Sequence, residues 1–330
     1  MSKTILVTGA AGFIGSHCVR ALLARGDRVV GIDNLNDYYD PRLKKNNLAL
    51  IERAHADSGR WRFVHGDIRD RELLAKLFDQ NGFDAAIHLA AMAGVRASID
   101  QPHLYWDVNL TGTLNLLEEA RRARLGNFVF ASTSSVYGDT KIMPFVETDT
   151  CDRPLAPYAA SKRATELLAY SYRHLHGLNC TALRYFTVYG PWGRPDMMAL
   201  KVLDNIHFGR QVVLFNKGQM HRDWTFIGDI TAGTILAADT PLGFEALNIG
   251  RGEPILLAEF IAKLEALSGK KANLQDAPMM KADVPYTFAD ITKARKLIGY
   301  DPVTSLDEGL HGLYQWYAEH VLPSGQPTAA

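Results

Sequence analysis

The sequence predicts an α/β protein with a doubly wound parallel sheet, and three observations carry that expectation. Short apolar runs at 4–8, 28–32, 62–65, 85–89, 127–131 and 181–185 have the length and composition of strands. Several are too apolar for a strand with one wet face. Stretches of helical periodicity separate them, so the strands must be buried on both sides beneath layers of helix.

Taken in order, run 4–8 feeds directly into Gly9-Ala-Ala-Gly12-Phe13-Ile14-Gly15, and Ile14, Cys18 and Leu22 then recur at helical spacing. Run 28–32 ends at Asp33-Asn34, with Asp33 eighteen residues after Gly15. Run 62–65 precedes Asp67-Ile68, and run 85–89 passes into Leu89-Ala90-Ala91. Leu110, Leu114 and Leu117 predict a helix closing on Arg121, Arg122 and Arg124, where positive charge suits a C-terminus. Run 127–131 leads into hydroxyl-rich Ser132-Thr133-Ser134-Ser135, a second helix carries Tyr158, and run 181–185 ends at Tyr185. Beyond Gly190, Pro191, Gly193 and Pro195 interrupt regular structure. We therefore expect a sheet domain over 1–190, a smaller mixed α/β lobe over 191–330, a return of 224–255 to the large sheet, and a loose tail over 323–330.

Composition narrows the function. The 330 residues carry 36 Lys+Arg against 36 Asp+Glu, leaving no global field for nucleic acid or an anionic membrane. No apolar run reaches the eighteen residues a spanning helix needs. Cys18, Cys151 and Cys180 lack C-x-x-C spacing and predict free thiols in a reducing cytoplasm. The eleven histidines show no metal-binding spacing, so no metal is expected.

Gly9, Gly12 and Gly15 sit between a strand and a helix, where glycines allow a tight turn and the close approach of a pyrophosphate to free helix-start N–H groups. Asp33 at the end of the second strand suits a ribose diol and repels a 2′-phosphate, so a Rossmann-type domain binding NAD is expected. Asp67-Ile68 would meet the adenine, and Leu89, Ala90 and Ala91 would let the dinucleotide pass close. In Tyr158-Ala-Ala-Ser-Lys162 the phenol and the ammonium lie one turn apart on one helix face. A cation there is expected to depress the Tyr158 pKa and make it a base.

With these motifs the chain resembles the extended short-chain dehydrogenase/reductase family, among its nucleotide-sugar epimerases and dehydratases, over nearly its whole length. The resemblance implies a catalytic hydroxyl at Thr133, beside Tyr158 and Lys162. It places Phe13, Ile14, Asn34, Asn109 and Tyr185 with the glycines around NAD, and implies a homodimer. Ser135 stands where dehydratases and decarboxylases of the family carry an acid. The runs Asn36-Asp-Tyr38-Tyr39-Asp40-Pro-Arg42, Ala93-Gly-Val-Arg96 and Tyr189-Gly-Pro-Trp-Gly-Arg194 are similar to the branch that epimerises UDP-glucuronate. Met92 departs from the glutamine expected beside them.

That branch implies a UDP-sugar acid as substrate. Its C5 carboxylate would meet Thr133, Ser134, Ser135 and Thr187, with Arg194 at the carboxylate or the diphosphate. Arg222 would hold the diphosphate, oriented by Asp223, and Phe215 would lie near uracil. Arg96, Lys201 and Asp283 are further expected contacts. The residues leave open a UDP-galactose or UDP-N-acetylhexosamine 4-epimerase, a UDP-glucuronate decarboxylase, and a catalytically silent NAD-binding sensor on the same fold.

Overall fold

A computed structural model describes residues 2–328. Its strands are β1 (Thr4–Thr8), β2 (Arg28–Asp33), β3 (Trp61–His65), β4 (Ala85–His88), β5 (Asn127–Thr133), β6 (Cys180–Tyr185) and β7 (Thr187–Tyr189), then β8 (Gln211–Phe215), β9 (His221–Phe226), β10 (Phe244–Ile249), β11 (Pro254–Leu256), β12 (Asn273–Ala277) and β13 (Tyr286–Thr287). The six expected runs are β1 to β6, each within two residues at either end. They join β10 in one seven-stranded sheet, ordered β10-β6-β5-β4-β1-β2-β3, in which every pairing is parallel.

Alternation along the strands divides the core. Ile5 and Val7 of β1 pack into one hydrophobic cluster and Leu6 into another, so both faces of the sheet are covered, as its apolar strands require. Strand order reverses at β1, which lies between β2 and β4, and the carboxyl ends of these strands open a crevice there. β7, β9, β11 and β13 form a second sheet, and β8 pairs with β12. A third cluster, centred on Trp224 stacked on Phe260 at 3.7 Å between ring centroids, supports this smaller region.

Two local expectations need correction. The helix predicted from Leu110 begins instead as a widened π turn over Asp107–Thr111 and becomes α-helical at Gly112–Arg122, while Arg124 lies beyond it at φ 54°. The carbonyl of Asn109 accepts from the hydroxyls of Thr113 and Thr165, and such competing donors accompany the widened ladder. The C-terminal segment is docked through residue 328: the buried Thr328 hydroxyl donates to Asp204 at 2.6 Å. Residues 329–330 of the expected tail lie outside the described residues.

Candidate active site

The glycine turn is held by its own backbone. Gly9 adopts φ +68°, and a Cβ there would fall 2.7 Å from the Ala90 nitrogen. A Cβ on Gly15 would stand 2.0 Å from the Gly9 carbonyl oxygen. Gly12, by contrast, is crowded by nothing except that same oxygen at 3.2 Å, and its open side lines the cavity. Helix Phe13–Arg25 starts from Gly12 without a side-chain cap and without an acid in its first turn. Its free N–H groups therefore face the cavity, a cradle that fits a pyrophosphate.

Asp33 closes β2 with its carboxylate accepting from Ala11 N at 3.1 Å and Leu35 N at 2.8 Å. Asp33 lines the cavity and each of its oxygens keeps acceptor capacity beyond these bonds, which suits a ribose diol. The Asp67 carboxyl is held down to about 2, chiefly by its contact with Arg69, and also accepts from Asn34 Nδ2 at 2.9 Å. Lys44, which the sequence reading did not assign, also reaches this wall, its ammonium donating to Asn36 O at 2.9 Å and Oδ1 at 2.8 Å.

Deeper in, Thr133 ends β5, with its hydroxyl oxygen accepting from Ser135 N at 3.1 Å. Helix Pro157–His176 brings Tyr158 and Lys162 to the same cavity, and Lys162 Nζ donates to the Ala131 carbonyl at 2.9 Å. The expectation that Lys162 depresses the Tyr158 pKa is not met. Burial pushes the phenol above its ordinary value, and what opposes burial is the Thr133 hydroxyl and the charge of Arg194. Burial also lowers the Lys162 ammonium to about 8. Spacing along a helix sets which side chains share a face; desolvation decided the sign.

One cavity of about 690 Å³ is lined by Gly9, Gly12, Phe13, Ile14, Gly15, Asp33, Asn34, Asp67, Ile68, Leu89, Ala90 and Ala91 on one wall. Thr133, Ser134, Ser135, Tyr158, Lys162 and Tyr185 line its centre, and Arg96, Thr187, Arg194, Lys201, Phe215, Arg222 and Asp283 line the far wall. Arg96 pairs with Asp283 at 2.9 Å and lies over the Phe215 ring at 4.2 Å, so three distant segments meet in one cluster. Arg194 pairs with Asp196 and lies over Tyr38, 5.3 Å from its centroid.

Asn109 is the sequence-assigned residue that stands apart from the cavity. It is buried behind the wall, where its amide clamps the backbone of Met92 (Oδ1 from N, 2.8 Å; Nδ2 to O, 3.0 Å) and reaches Ser161 Oγ at 3.0 Å. Met92 itself is buried in the core, so the departure at this position falls on packing. Asp223 does not orient Arg222: it accepts the backbone N–H groups of Arg251, Gly252 and Ala289 at 2.7–3.0 Å and pins β9 to its neighbouring loops. Tyr38 and Tyr39 line the cavity without having been assigned to it. Their signal was the run 36–42, read as a resemblance and not yet as chemistry.

Fold, glycine cradle and hydroxyl–phenol–ammonium cluster together define a nucleotide-dependent enzyme of the NAD dependent epimerase/dehydratase family, whose model matches residues 5–250; the chain belongs to this family. Among curated proteins it is 45% identical to a UDP-glucuronate 4-epimerase of Thermodesulfobacterium geofontis, over 96% of both chains. It is also 43% identical to UDP-glucuronate 4-epimerase 4 of Arabidopsis thaliana, over 99% of this chain and 77% of that one. Among solved structures, the UDP-glucuronic acid 4-epimerase of Bacillus cereus in complex with UDP-glucuronic acid and NAD superposes with TM-score 0.88 at 36% identity, over 96% of this chain and 99% of that one.

Proposed function

We propose that the protein is an isomerase that inverts C4 of UDP-glucuronate to give UDP-galacturonate. The observation that carries this reading is the single cavity joining the glycine cradle, the Thr133–Tyr158–Lys162 cluster and the arginine-bearing far wall. NAD fits the cradle; when bound, it supplies a hydride acceptor for C4 that can return the hydride to the other face of the resulting ketone. Tyr158 takes the proton of the 4-hydroxyl, Thr133 orients that proton, and Lys162 holds the nicotinamide ribose. Arg222 and Arg96 answer the diphosphate, and Phe215 lies at the uracil end. Thr133, Ser134, Ser135 and Thr187 provide hydroxyls for the C5 carboxylate, with Arg194 as its charged neighbour. Ser135 offers no acid for elimination or decarboxylation.

The test is to incubate the purified protein with UDP-glucuronate, without added NAD, and follow products by NMR. UDP-galacturonate should appear; its absence with the holoenzyme overturns the reading. Tyr158→Phe should lower turnover by about a thousandfold while retaining NAD, as expected for loss of a general base.

The family's homodimer is proposed to form through helices Gly112–Arg122 and Pro157–His176. Leu114, Leu167 and Tyr170 on these helices are exposed by 37%, 57% and 56%. Sedimentation should show a dimer, and Leu167→Glu should shift it toward monomer. No helix among the described residues is long and apolar enough to cross a membrane. The three buried, unpaired thiols support placement in the cytoplasm.

A further inference from the structure

Glu166 is among the buried carboxylates that the mechanism above leaves unused. Glu166 lies one helical turn beyond Lys162 and is fully buried. Four donors converge on it: Ser132 Oγ at 2.6 Å and Arg184 Nε at 2.9 Å reach Oε1, while Arg184 Nη2 at 2.8 Å and Arg163 Nη1 at 2.9 Å reach Oε2. Burying an ionised carboxylate is costly, and a bidentate guanidinium with two further donors is the arrangement that offsets it.

The placement of those donors is what matters. Ser132 and Arg184 face each other in register across β5 and β6, so one carboxylate ties the catalytic helix to both strands. Ser132 stands between Ala131, whose carbonyl receives Lys162 Nζ, and Thr133, whose hydroxyl acts on Tyr158. Arg184 is buried as well, its guanidinium 4.9 Å from the Tyr137 ring centroid. Two enclosed cations, Lys162 and Arg184, thus share this region with the Glu166 carboxylate.

We propose that Glu166 is a positioning residue for the reaction: it fixes the end of β5 against the catalytic helix and supplies the buried negative charge that the Lys162 ammonium faces. The proposal rests on the role given to Lys162 above. Burial lowers the Lys162 pKa and Glu166 opposes that fall, leaving it at about 8. The other groups around it do not take that part. His88 on β4 feels the Lys162 charge and stays neutral, its own pKa lowered to about 3 by burial. Tyr158 is raised by burial, and Arg184 on β6 adds positive charge.

Two variants and two readouts test this. Glu166→Gln keeps the shape and removes the charge, but strands the guanidinium of Arg184. The double variant Glu166→Gln/Arg184→Met removes both charges and avoids the stranded cation. In the holoenzyme with 13C-labelled lysine, NMR follows the Lys162 titration, assigned through Lys162→Met. Its midpoint should fall by about one pH unit in Glu166→Gln and by less in the double variant, where the opposing Arg184 charge is gone as well, and the alkaline limb of kcat should follow. A lowered Tm with an unmoved Lys162 midpoint overturns the proposal and leaves Glu166 a structural residue.

Ser132→Ala, which removes one hydroxyl and leaves the ion pair, serves if neither Glu166 variant folds. It should lower kcat by roughly tenfold with KM nearly unchanged, and an unaltered kcat overturns the proposal. The lysine titration reads Glu166 whether or not UDP-glucuronate is turned over, so failure of the substrate assignment and failure of this proposal are separate results.

Discussion

Where β1, β2 and β4 end, the cavity is walled by backbone and small side chains; the wall opposite carries Arg96, Arg194, Lys201 and Arg222 on segments far apart in sequence. The first wall recognises by shape. Gly9 and Gly15 are fixed by approaches under 3 Å that any Cβ would violate, and its helix start presents amide hydrogens without a competing cap. The second wall recognises by charge. Its arginines already hold partners, Arg96 on Asp283 and Arg194 on Asp196, which a substrate anion must share or displace. A wall of backbone admits little variation in its occupant, whereas long paired side chains can be re-specified one at a time.

Gly15→Ala is the severest challenge to that contrast. The new Cβ would sit 2.0 Å from the Gly9 carbonyl oxygen, which is backbone and has no rotamer to yield. Overpacking of this kind costs about 1–3 kcal/mol, so NAD affinity should fall by roughly tenfold to a hundredfold. Cofactor content of the purified protein and calorimetric titration measure it. Undiminished NAD retention would break the view of this wall as a rigid template.

Acid sharpens the comparison next. His88 bridges the hydroxyls of Thr8 (2.7 Å) and Thr113 (2.9 Å) beneath the cofactor wall, and burial lowers its pKa to about 3. Unfolded, the same imidazole takes a proton near 6.5, so between these values the unfolded chain binds more protons and stability falls as pH falls. By pH 4.5 the loss from this one group is about 2–3 kcal/mol. Urea unfolding from pH 7 to 4.5 should show the decline, and His88→Gln should remove this group's share of it. His17, lowered by burial to about 4, contributes nearly as much over the same range, and His207, also lowered by burial, adds to it. Asp67, held to about 2, adds its own loss only below pH 4, so the two windows separate.

What could be read in the sequence follows the same division. Gly9, Gly12, Gly15 and Asp33 lie in one strand–turn–helix–strand unit, and Tyr158 and Lys162 in one helical turn, so spacing alone placed them. The tie between Arg194 and Tyr38 spans 156 residues, and only folding brings them together. Asn109 was assigned to the cofactor by resemblance, yet it holds the Met92 backbone from behind the wall. Asp223 was assigned to Arg222 by adjacency, but alternation along β9 turns it instead to the backbone of neighbouring loops. The direction of the Tyr158 shift was misjudged because a local pattern reports which charge is near, not how much water has been removed. The residues themselves were legible; their desolvation was not.

Thr187→Ala probes the charge-reading wall with the smallest change. A 4-keto glucuronate is a β-keto acid and loses CO2 when its C5–carboxylate bond aligns with the ketone π system. Thr187, at the start of β7 and in register with Trp224 of β9, is fixed by strand pairing and lines the same cavity as Thr133, Ser134 and Ser135. A hydroxyl held there can keep the carboxylate bond near the carbonyl plane, where overlap is poor. A hydrogen bond to a charged group contributes about 1.5–3 kcal/mol, so its removal should raise the fraction of decarboxylated UDP-pentose by roughly tenfold or more. NMR of the product mixture gives that ratio directly. If the ratio is unchanged while epimerisation continues, carboxylate control lies elsewhere on the wall, with Arg194 the next side chain to replace.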